Sequence, residues 1–491
     1  MAIAQGSCPS CGAPIVFGLG SSLARICESC RATVLRTDRG LQDCGRVAAL
    51  AETPSPISVG DQGTLAGRPI FILGRVQFDY GLGPWDEYYV AFDQGSEWGW
   101  LAYAQGRWYV TQLVPNQSAP PREQIEIDGD QTLPIGTFCV TEFRTAKVVS
   151  AEGELPSPVR AGTPMLYADA YGPDGAFATF DYGDGSEPSC VYAGHIFSDA
   201  ELSVTASGPR AVAKVKTTQL QCPNCGGEVP KLHADRSERL GCPYCGALSD
   251  IPSRTVLAQQ ERLLQSPDIP IGTSGTFEGA TYTCLAYLQR SVDDAGDRYR
   301  WEEYLLFCAE VGYRWLVKDP ETGWSWVAFV NPADIDRRER SQRLRYSNQV
   351  FRLKSSGQAR VDYVLGEIYW KCSLGEVVSV ADYSSGNQVL SREADSEEVN
   401  YSHSRATPWP KIAAAFGLPV KGTGANGIPS GGSGGSTAAG CITVAIIVIF
   451  VIVLIIVLSS AFSSTGGSSG GGVFIGGGNS YRGSGSYSGG K

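Results

Sequence analysis

Hydrophobic and polar positions alternate with a period of two through most of this chain. Runs such as Trp85-Asp-Glu-Tyr-Tyr-Val90, Trp98-Gly-Trp-Leu-Ala-Tyr103, Arg107-Trp-Tyr-Val110, Trp301-Glu-Glu-Tyr-Leu-Leu306, Arg314-Trp-Leu316 and Trp324-Ser-Trp-Val327 mix aromatic and branched residues with polar ones, and Gly and Asp turns separate them. That pattern predicts short antiparallel strands in a meander. Two stretches read instead as short helices, Leu41–Leu50 and Val256–Leu264, closed by Pro54 and Pro267. A third pattern lies near the C-terminus, where Cys441–Leu458 runs without a charge. As a helix it would measure about 27 Å, close to the ~30 Å of a bilayer's hydrocarbon core. It predicts one transmembrane helix over 441–462, after a flexible Gly/Ser linker at 421–440 and before a disordered Gly/Ser/Tyr tail at 463–491.

The alternating runs come twice, in the same order. Gly63-Thr64-Leu65 answers to Gly275-Thr276-Phe277, Trp85-Asp-Glu87 to Trp301-Glu-Glu303, Gly153-Glu154-Leu155 to Gly366-Glu367-Ile368, and Ala168-Asp169 to Ala381-Asp382. Recurrence of several words in one order is the mark of an internal duplication. Four cysteines introduce each copy: Cys8, Cys11, Cys27 and Cys30 in the first, Cys222, Cys225, Cys242 and Cys245 in the second. Their spacings, C-x2-C-x15-C-x2-C and C-x2-C-x16-C-x2-C, are those of zinc ribbons, in which two knuckles bring four thiolates around a tetrahedral ion. Four thiolates leave no open position for water, so both zinc sites read as structural, with the metal supplying folding free energy on the order of 10 kcal/mol. The expected fold is mainly β: zinc ribbon 1 at 1–40, a β-rich barrel- or sandwich-like domain at 55–205, zinc ribbon 2 at 218–252, and a second β-rich domain at 268–410.

Charge and cysteine usage narrow the class. The formal net charge of −10 argues against a general polyanion binder, because phosphate contacts need clustered Lys and Arg. Of the 15 cysteines, those outside the quartets are scattered and odd in number, which reads as buried thiols in a reducing compartment. The N-terminus lacks a basic n-region and an apolar h-region, so no signal peptide is expected. From these features the N-terminal bulk is expected in the cytosol and the C-terminal tail outside, across the inner (plasma) membrane.

Further words of the second copy, Gly366-Glu-Ile-Tyr-Trp370, Ala381-Asp-Tyr383, Leu390-Ser-Arg-Glu393 and Glu397-Glu-Val-Asn-Tyr401, carry a specific resemblance. They resemble the bacterial domain of unknown function DUF4178, whose pattern runs Gly-Glu-Phe-Pro-Trp, Ala-Asp-Tyr, Leu-Ser-Arg-Glu-Glu and Glu-Val-Asn-Trp. The resemblance covers about 275–405 well. The first copy, about 63–197, is worn: Phe180-Asp-Tyr-Gly-Asp stands where Leu-Ser-Arg-Glu is expected. Members of this family often carry zinc-ribbon knuckles and a membrane segment. The family implies no established activity, and it directs attention to the second copy for any pocket.

Candidate chemistry is sparse. The chain has no phosphate loop, nucleophile elbow, His-Glu-x-x-His or dinucleotide fingerprint. Three histidines (His195, His233 and His403) read as loop or surface residues, and no base stands at a recognisable spacing from a free cysteine. The repeated carboxylates Glu154/Asp169 and Glu367/Asp382 are the candidates for acid–base work, with Glu393 completing a possible set in the second copy. Their plainer reading is as turn and strand-edge hydrogen-bond acceptors. A basic run (Arg337, Arg338, Arg340, Arg343, Arg345, Arg352, Lys354) faces an acidic stretch at the matching place in the first copy (Glu123, Glu126, Asp128, Asp130). It reads as a solvated face, or as a contact surface for anionic headgroups, for an acidic partner or for the other copy.

Together these features predict a membrane-anchored cytosolic binding or scaffold protein with two structural Zn2+ sites and a protein partner. The alternative is an enzyme or small-molecule sensor with a carboxylate-lined pocket formed by Glu367, Asp382 and Glu393. A nucleic-acid-binding role rests on the ribbons alone and is disfavoured by the charge.

Overall fold

Alternation of buried and exposed side chains along the strands builds the same object twice. A computed structural model describes residues 4–419 apart from 19–21, 38–39, 49, 51–54, 56, 81–83, 105, 186–187, 206–218, 233–236, 252, 264–265 and 295–296. In the first copy the main strands are β1 (Arg68–Asp79), β2 (Pro84–Phe92), β3 (Glu97–Ala104), β4 (Arg107–Leu113), β5 (Gly136–Leu155), β6 (Pro164–Tyr171), β7 (Ala176–Gly183) and β8 (Cys190–Ser198). In the second they are β9 (Ala280–Asp294), β10 (Asp297–Cys308), β11 (Gly312–Asp319), β12 (Gly323–Phe329), β13 (Gln349–Ile368), β14 (Val377–Ser385), β15 (Gln388–Ala394) and β16 (Val399–Ala406).

All pairings are antiparallel, and among the described residues each copy closes on itself. The order is β1-β2-β3-β4-β8-β7-β6-β5, with β5 returning to β1, and β9-β10-β11-β12-β16-β15-β14-β13, with β13 returning to β9. Closure leaves these eight-stranded barrels no free edges of their own. Inward-facing positions fill the lumens: Val76, Phe78, Tyr89, Trp100, Val148 and Tyr192 in the first, Leu288, Trp301, Leu305, Trp315, Val327 and Val380 in the second. The mainly β, tandem architecture expected from the sequence is present.

Two strands of twenty residues, β5 and β13, organise each copy. Their first halves pair with β6 and β14. Their second halves cross to β1 and β9. Their last residues leave the barrel and pair with the ribbon, Arg25 opposite Glu154 and Leu240 opposite Glu367. Each ribbon is therefore a continuation of its barrel's sheet. Gly153 and Gly366 stand at the departure point with φ of +74° and +86°. A Cβ on either would lie 2.3 Å from a carbonyl oxygen of the neighbouring strand, that of Leu73 or Leu285. Only glycine satisfies both the backbone and the spacing.

The structure corrects two expectations and adds an element. The stretches read as helices begin as strands and hold no helix among the described residues: Gly40–Arg46 pairs with Ala32–Thr37, and Thr255–Gln259 pairs with Ala247–Asp250. A helix of about ten residues is marginal on its own, whereas the second knuckle hairpin of each ribbon offers an open edge with ready hydrogen bonds. In place of those helices, α1 (Trp409–Phe416) follows the second barrel, begun by proline and stopped at Gly417 with φ +64°. Its Ile412 and Phe416 join Tyr287, Tyr304, Leu316 and Trp326 in covering one outer side of that barrel. The linker, transmembrane and tail segments from 421 onward, and His233, lie outside the described residues. Among the described residues no helix is long and apolar enough to cross a membrane.

The two copies dock against each other. The backbones meet at an antiparallel bridge between Glu142 and Glu398, with Phe143 N–H donating to Glu397 O at 2.9 Å. Arg144 reaches across to Glu398 at 3.2 Å, its guanidinium over the Tyr80 ring. Nearby, Asn331 Nδ2 donates to Gly172 O at 2.7 Å, and Arg107 lies over the Phe329 ring.

The departure glycine gives the first test. Gly366→Ala forces an L-residue into positive φ and a carbonyl clash, and should lower unfolding stability by about 2–4 kcal/mol in urea titration. An unchanged midpoint would mean that the strand departure is not so constrained.

Candidate metal centres and buried carboxylates

The four knuckles share one local structure. In each, the residue four after the first cysteine donates its N–H back to that cysteine's carbonyl: Gly12 to Cys8, Arg31 to Cys27, Gly226 to Cys222 and Gly246 to Cys242. That residue always has positive φ, which explains why three of the four are glycine. Arg31, at φ +59°, is the exception, and its side chain accounts for it. Its Nε donates to Ala48 O at 2.9 Å and its Nη2 to Ser150 Oγ at 3.0 Å, fastening the first ribbon to β5.

These turns bring the four sulfurs of each quartet within 4.8 Å of one another. Cys8 and Cys30 Sγ are 3.7 Å apart, Cys11 and Cys27 3.6 Å, Cys222 and Cys245 3.7 Å, and Cys225 and Cys242 3.8 Å. A tetrahedral ion with metal–sulfur bonds of about 2.3 Å has sulfur–sulfur edges of about 3.8 Å, so both quartets have the dimensions of a tetrathiolate zinc site. Burial opposes ionisation of Cys245, but the Asn224 amide, the Ala247 N–H and the neighbouring thiols lower its pKa to about 6. The Ala247 and Asn224 donors favour the thiolate that a metal needs. All eight expected ligands are thus gathered, four by four, and among the described residues no further His, Cys or carboxylate joins either group.

The Gly-Glu word has a defined task beside each metal centre. Glu154 Oε1 accepts from Gly18 N at 2.7 Å and from Arg25 Nη1 at 3.1 Å, both on the first ribbon. Glu367 Oε1 accepts from Leu232 N at 2.5 Å and Oε2 from Ser237 Oγ at 2.8 Å, both between the knuckles of the second. Each glutamate clips the loop between its ribbon's knuckles to the end of the long strand. Arg239 adds to the second seam, donating to Cys372 O at 3.2 Å and pairing with Asp250.

The other carboxylates named from the sequence face the lumens. Asp382 accepts from Ser391 Oγ at 2.6 Å across β14 and β15, and Asp169 from Thr179 Oγ1 at 2.8 Å across β6 and β7. Burial raises Asp382 well above the ordinary carboxylate range. Glu393 pairs with Arg290 Nη1 at 2.7 Å, from a strand that is not its neighbour in the barrel wall. Glu303, on the same guanidinium at 3.5 Å, accepts from Trp301 Nε1 at 2.7 Å, and burial raises it to about 8. Trp85 repeats this contact to Glu87 at 3.1 Å. The first copy has Phe78 opposite Trp85 where the second has Arg290 opposite Trp301. Glu367 is thus turned to the ribbon while Asp382 and Glu393 share the lumen, so the three do not line one pocket. Arg290 was missed in the sequence; its only signal is one cation in an inward position of an apolar strand.

The histidines stay apart from these groups. His195 is exposed on β8, and His403, half-buried on β16, bonds Gln388 at 2.7 Å. The basic run divides. Arg338 pairs with Asp336 and Arg343 with Glu339 on their own copy, whereas Arg337 reaches Asp128 and Asp130 of the first. Contact with the other copy is therefore one use of that surface.

Fold and sites together define a tandem protein in which each β-barrel carries a sheet-continuous tetracysteine ribbon. The profile of the family described as Domain of unknown function (DUF4178) matches residues 58–197 and 270–408, more than half of the chain. The chain belongs to that family and holds two copies of its domain. No curated protein and no solved structure matches it.

Two measurements follow from the sites. Cys225→Ser should reduce zinc from two ions per chain to one by elemental mass spectrometry, and two ions in the variant would remove the second centre. For Glu303, the folded chain keeps a proton that the unfolded chain releases above about 4.5, so this group makes stability fall as pH rises from about 4.5 to about 8. Glu303→Gln, with Arg290 still held by Glu393, should be more stable than wild type by about 1–3 kcal/mol at pH 8, the gap closing near pH 4.5. A gap independent of pH would show that Glu303 is ionised in the folded chain.

Proposed function

We propose that this protein is a membrane-anchored cytosolic binding or scaffold protein whose two zinc ions are structural. The observation that carries this reading is the closure of both sites: four sulfurs at tetrahedral spacing, each ribbon clipped to its barrel by a buried glutamate. A metal held by four sulfurs stiffens a platform and has no open coordination position for a substrate. The uncharged run Cys441–Leu458 supplies the anchor, and the Gly/Ser linker before it supplies a leash. A leash raises the effective concentration of the tandem barrels near membrane partners.

A second reading, a small-molecule sensor, draws on one observation. In the second lumen Glu303 Oε2, Asp382 Oδ2, Trp315 Nε1 and Ser402 Oγ are buried without a protein hydrogen-bond partner. Gentle detergent extraction followed by native mass spectrometry separates the two. The scaffold reading expects a full-length chain that resists alkaline extraction from membranes, with two zincs and a stoichiometric protein partner retained in Asp382→Asn. A small molecule that co-purifies with wild type and is lost from folded Asp382→Asn would replace it by the sensor, and a full-length chain recovered in the soluble fraction would end the anchor.

A further inference from the structure

The contact between the copies centres on one carboxylate. Asp128 of the first copy is fully buried, in the left-handed region at φ +66°. Four side chains of the second copy converge on it. Arg392 Nε donates to Oδ2 at 2.8 Å. Tyr401 OH lies 3.0 Å from Oδ1 and 2.9 Å from Oδ2. Arg337 Nε is 3.2 Å from Oδ1, and Arg340 Nε is 3.8 Å from Oδ2. Asp130 also pairs with Arg337.

This receptor is assembled by the second copy alone. Arg392 and Tyr401 are directly opposite each other on β15 and β16. Arg337 is fixed by donating to the carbonyls of Pro332 and Ile335. Tyr383 OH donates to Arg340 O at 2.5 Å and holds that loop in place. Three guanidiniums and a phenol, with Arg337 held by its own copy's carbonyls, form the kind of donor set that binds oxyanions. Against Asp128 and Asp130 the three guanidiniums leave a surplus of one positive charge, which suits an anion carrying two charges.

The first copy cannot offer the same site. Aligning Asp169 and Thr179 with Asp382 and Ser391 puts Phe180 in the place of Arg392, and Val191 opposite it in the place of Tyr401. The strand register therefore corrects the sequence alignment: Ala178-Thr-Phe-Asp181, two residues before the stretch first matched, answers to Leu390-Ser-Arg-Glu393, and the first copy lacks the receptor and supplies the acid instead.

We propose that Arg337, Arg340, Arg392 and Tyr401 form an oxyanion-binding site for a phosphate-type dianion, and that Asp128 is its tethered occupant. A phosphate group that enters must displace the Asp128 loop, so anion binding and the docking of the two copies are one coupled equilibrium.

The test uses the full-length chain in detergent and inorganic phosphate as the probe, with chloride at equal ionic strength as the reference. Asp128→Asn keeps the shape and removes the charge, and Asp128→Gly removes the carboxylate from a backbone that glycine accepts. Because the second copy builds the site itself, both variants should fold with two zincs and a lowered Tm. Phosphate at tens of millimolar should then raise their Tm by about 2–5 °C and leave wild type unmoved. Adding Arg392→Ala to Asp128→Gly should abolish the rise. The proposal is overturned if phosphate shifts wild type and variants alike, if it shifts neither variant, if the shift survives Arg392→Ala, or if neither Asp128 variant folds.

Discussion

A buried glutamate at the end of a twenty-residue strand joins the two kinds of structure in this protein. A ribbon of about thirty residues offers little core of its own, and its four gathered sulfurs could hold a metal ion. Glu154 and Glu367 make that piece part of the barrel by satisfying backbone and side-chain donors between the knuckles. The preceding glycine lets the strand leave the barrel wall at the required angle. Gly-Glu thus has a mechanical meaning in both copies, and loss of either residue would uncouple ribbon from barrel.

The two copies have kept the wall of the barrel and diverged in what it presents. Their strand orders agree, and Trp-x-Glu makes the same indole–carboxylate contact in each. Differences concentrate in the lumen, where Arg290 balances carboxylates in the second copy and Phe78 replaces it in the first, and at the contact between copies. There Ser-Arg-Glu divides its labour: Ser391 and Glu393 face inward to Asp382 and Arg290, while Arg392 faces outward to Asp128. Strand alternation makes this division unavoidable, since neighbours in a strand point to opposite faces.

Much of this was legible in the residues alone. The cysteine spacings predicted which sulfurs come together, four by four, because the geometry of a tetrahedral site is one that a few residues encode. Alternating aromatic runs identified the strands, and the repeated words identified the duplication. The short ribbon-end strands were misread because Val256–Leu264 is rich in helix formers and Leu41–Leu50 has apolar residues at helical spacing, and the open hairpin edge beside each overrode that local preference. The eight-residue α1 was missed because its packing against the barrel, more than its periodicity, stabilises it.

The sequence by itself therefore determined what depends on neighbours in the chain: the knuckles, the strands, the two copies and the uncharged C-terminal run. Tertiary structure alone decided which carboxylates act together. Glu367, Asp382 and Glu393 read as one set because they stand in the repeated and family words, but the departure of β13 at Gly366 takes the first to the ribbon while the other two stay in the lumen. Asp128 and Arg392 are separated by more than half the chain and carry no shared motif. Only the docking of one barrel on the other desolvates that acid among three guanidiniums, and desolvation is what turns scattered charges into a specific contact.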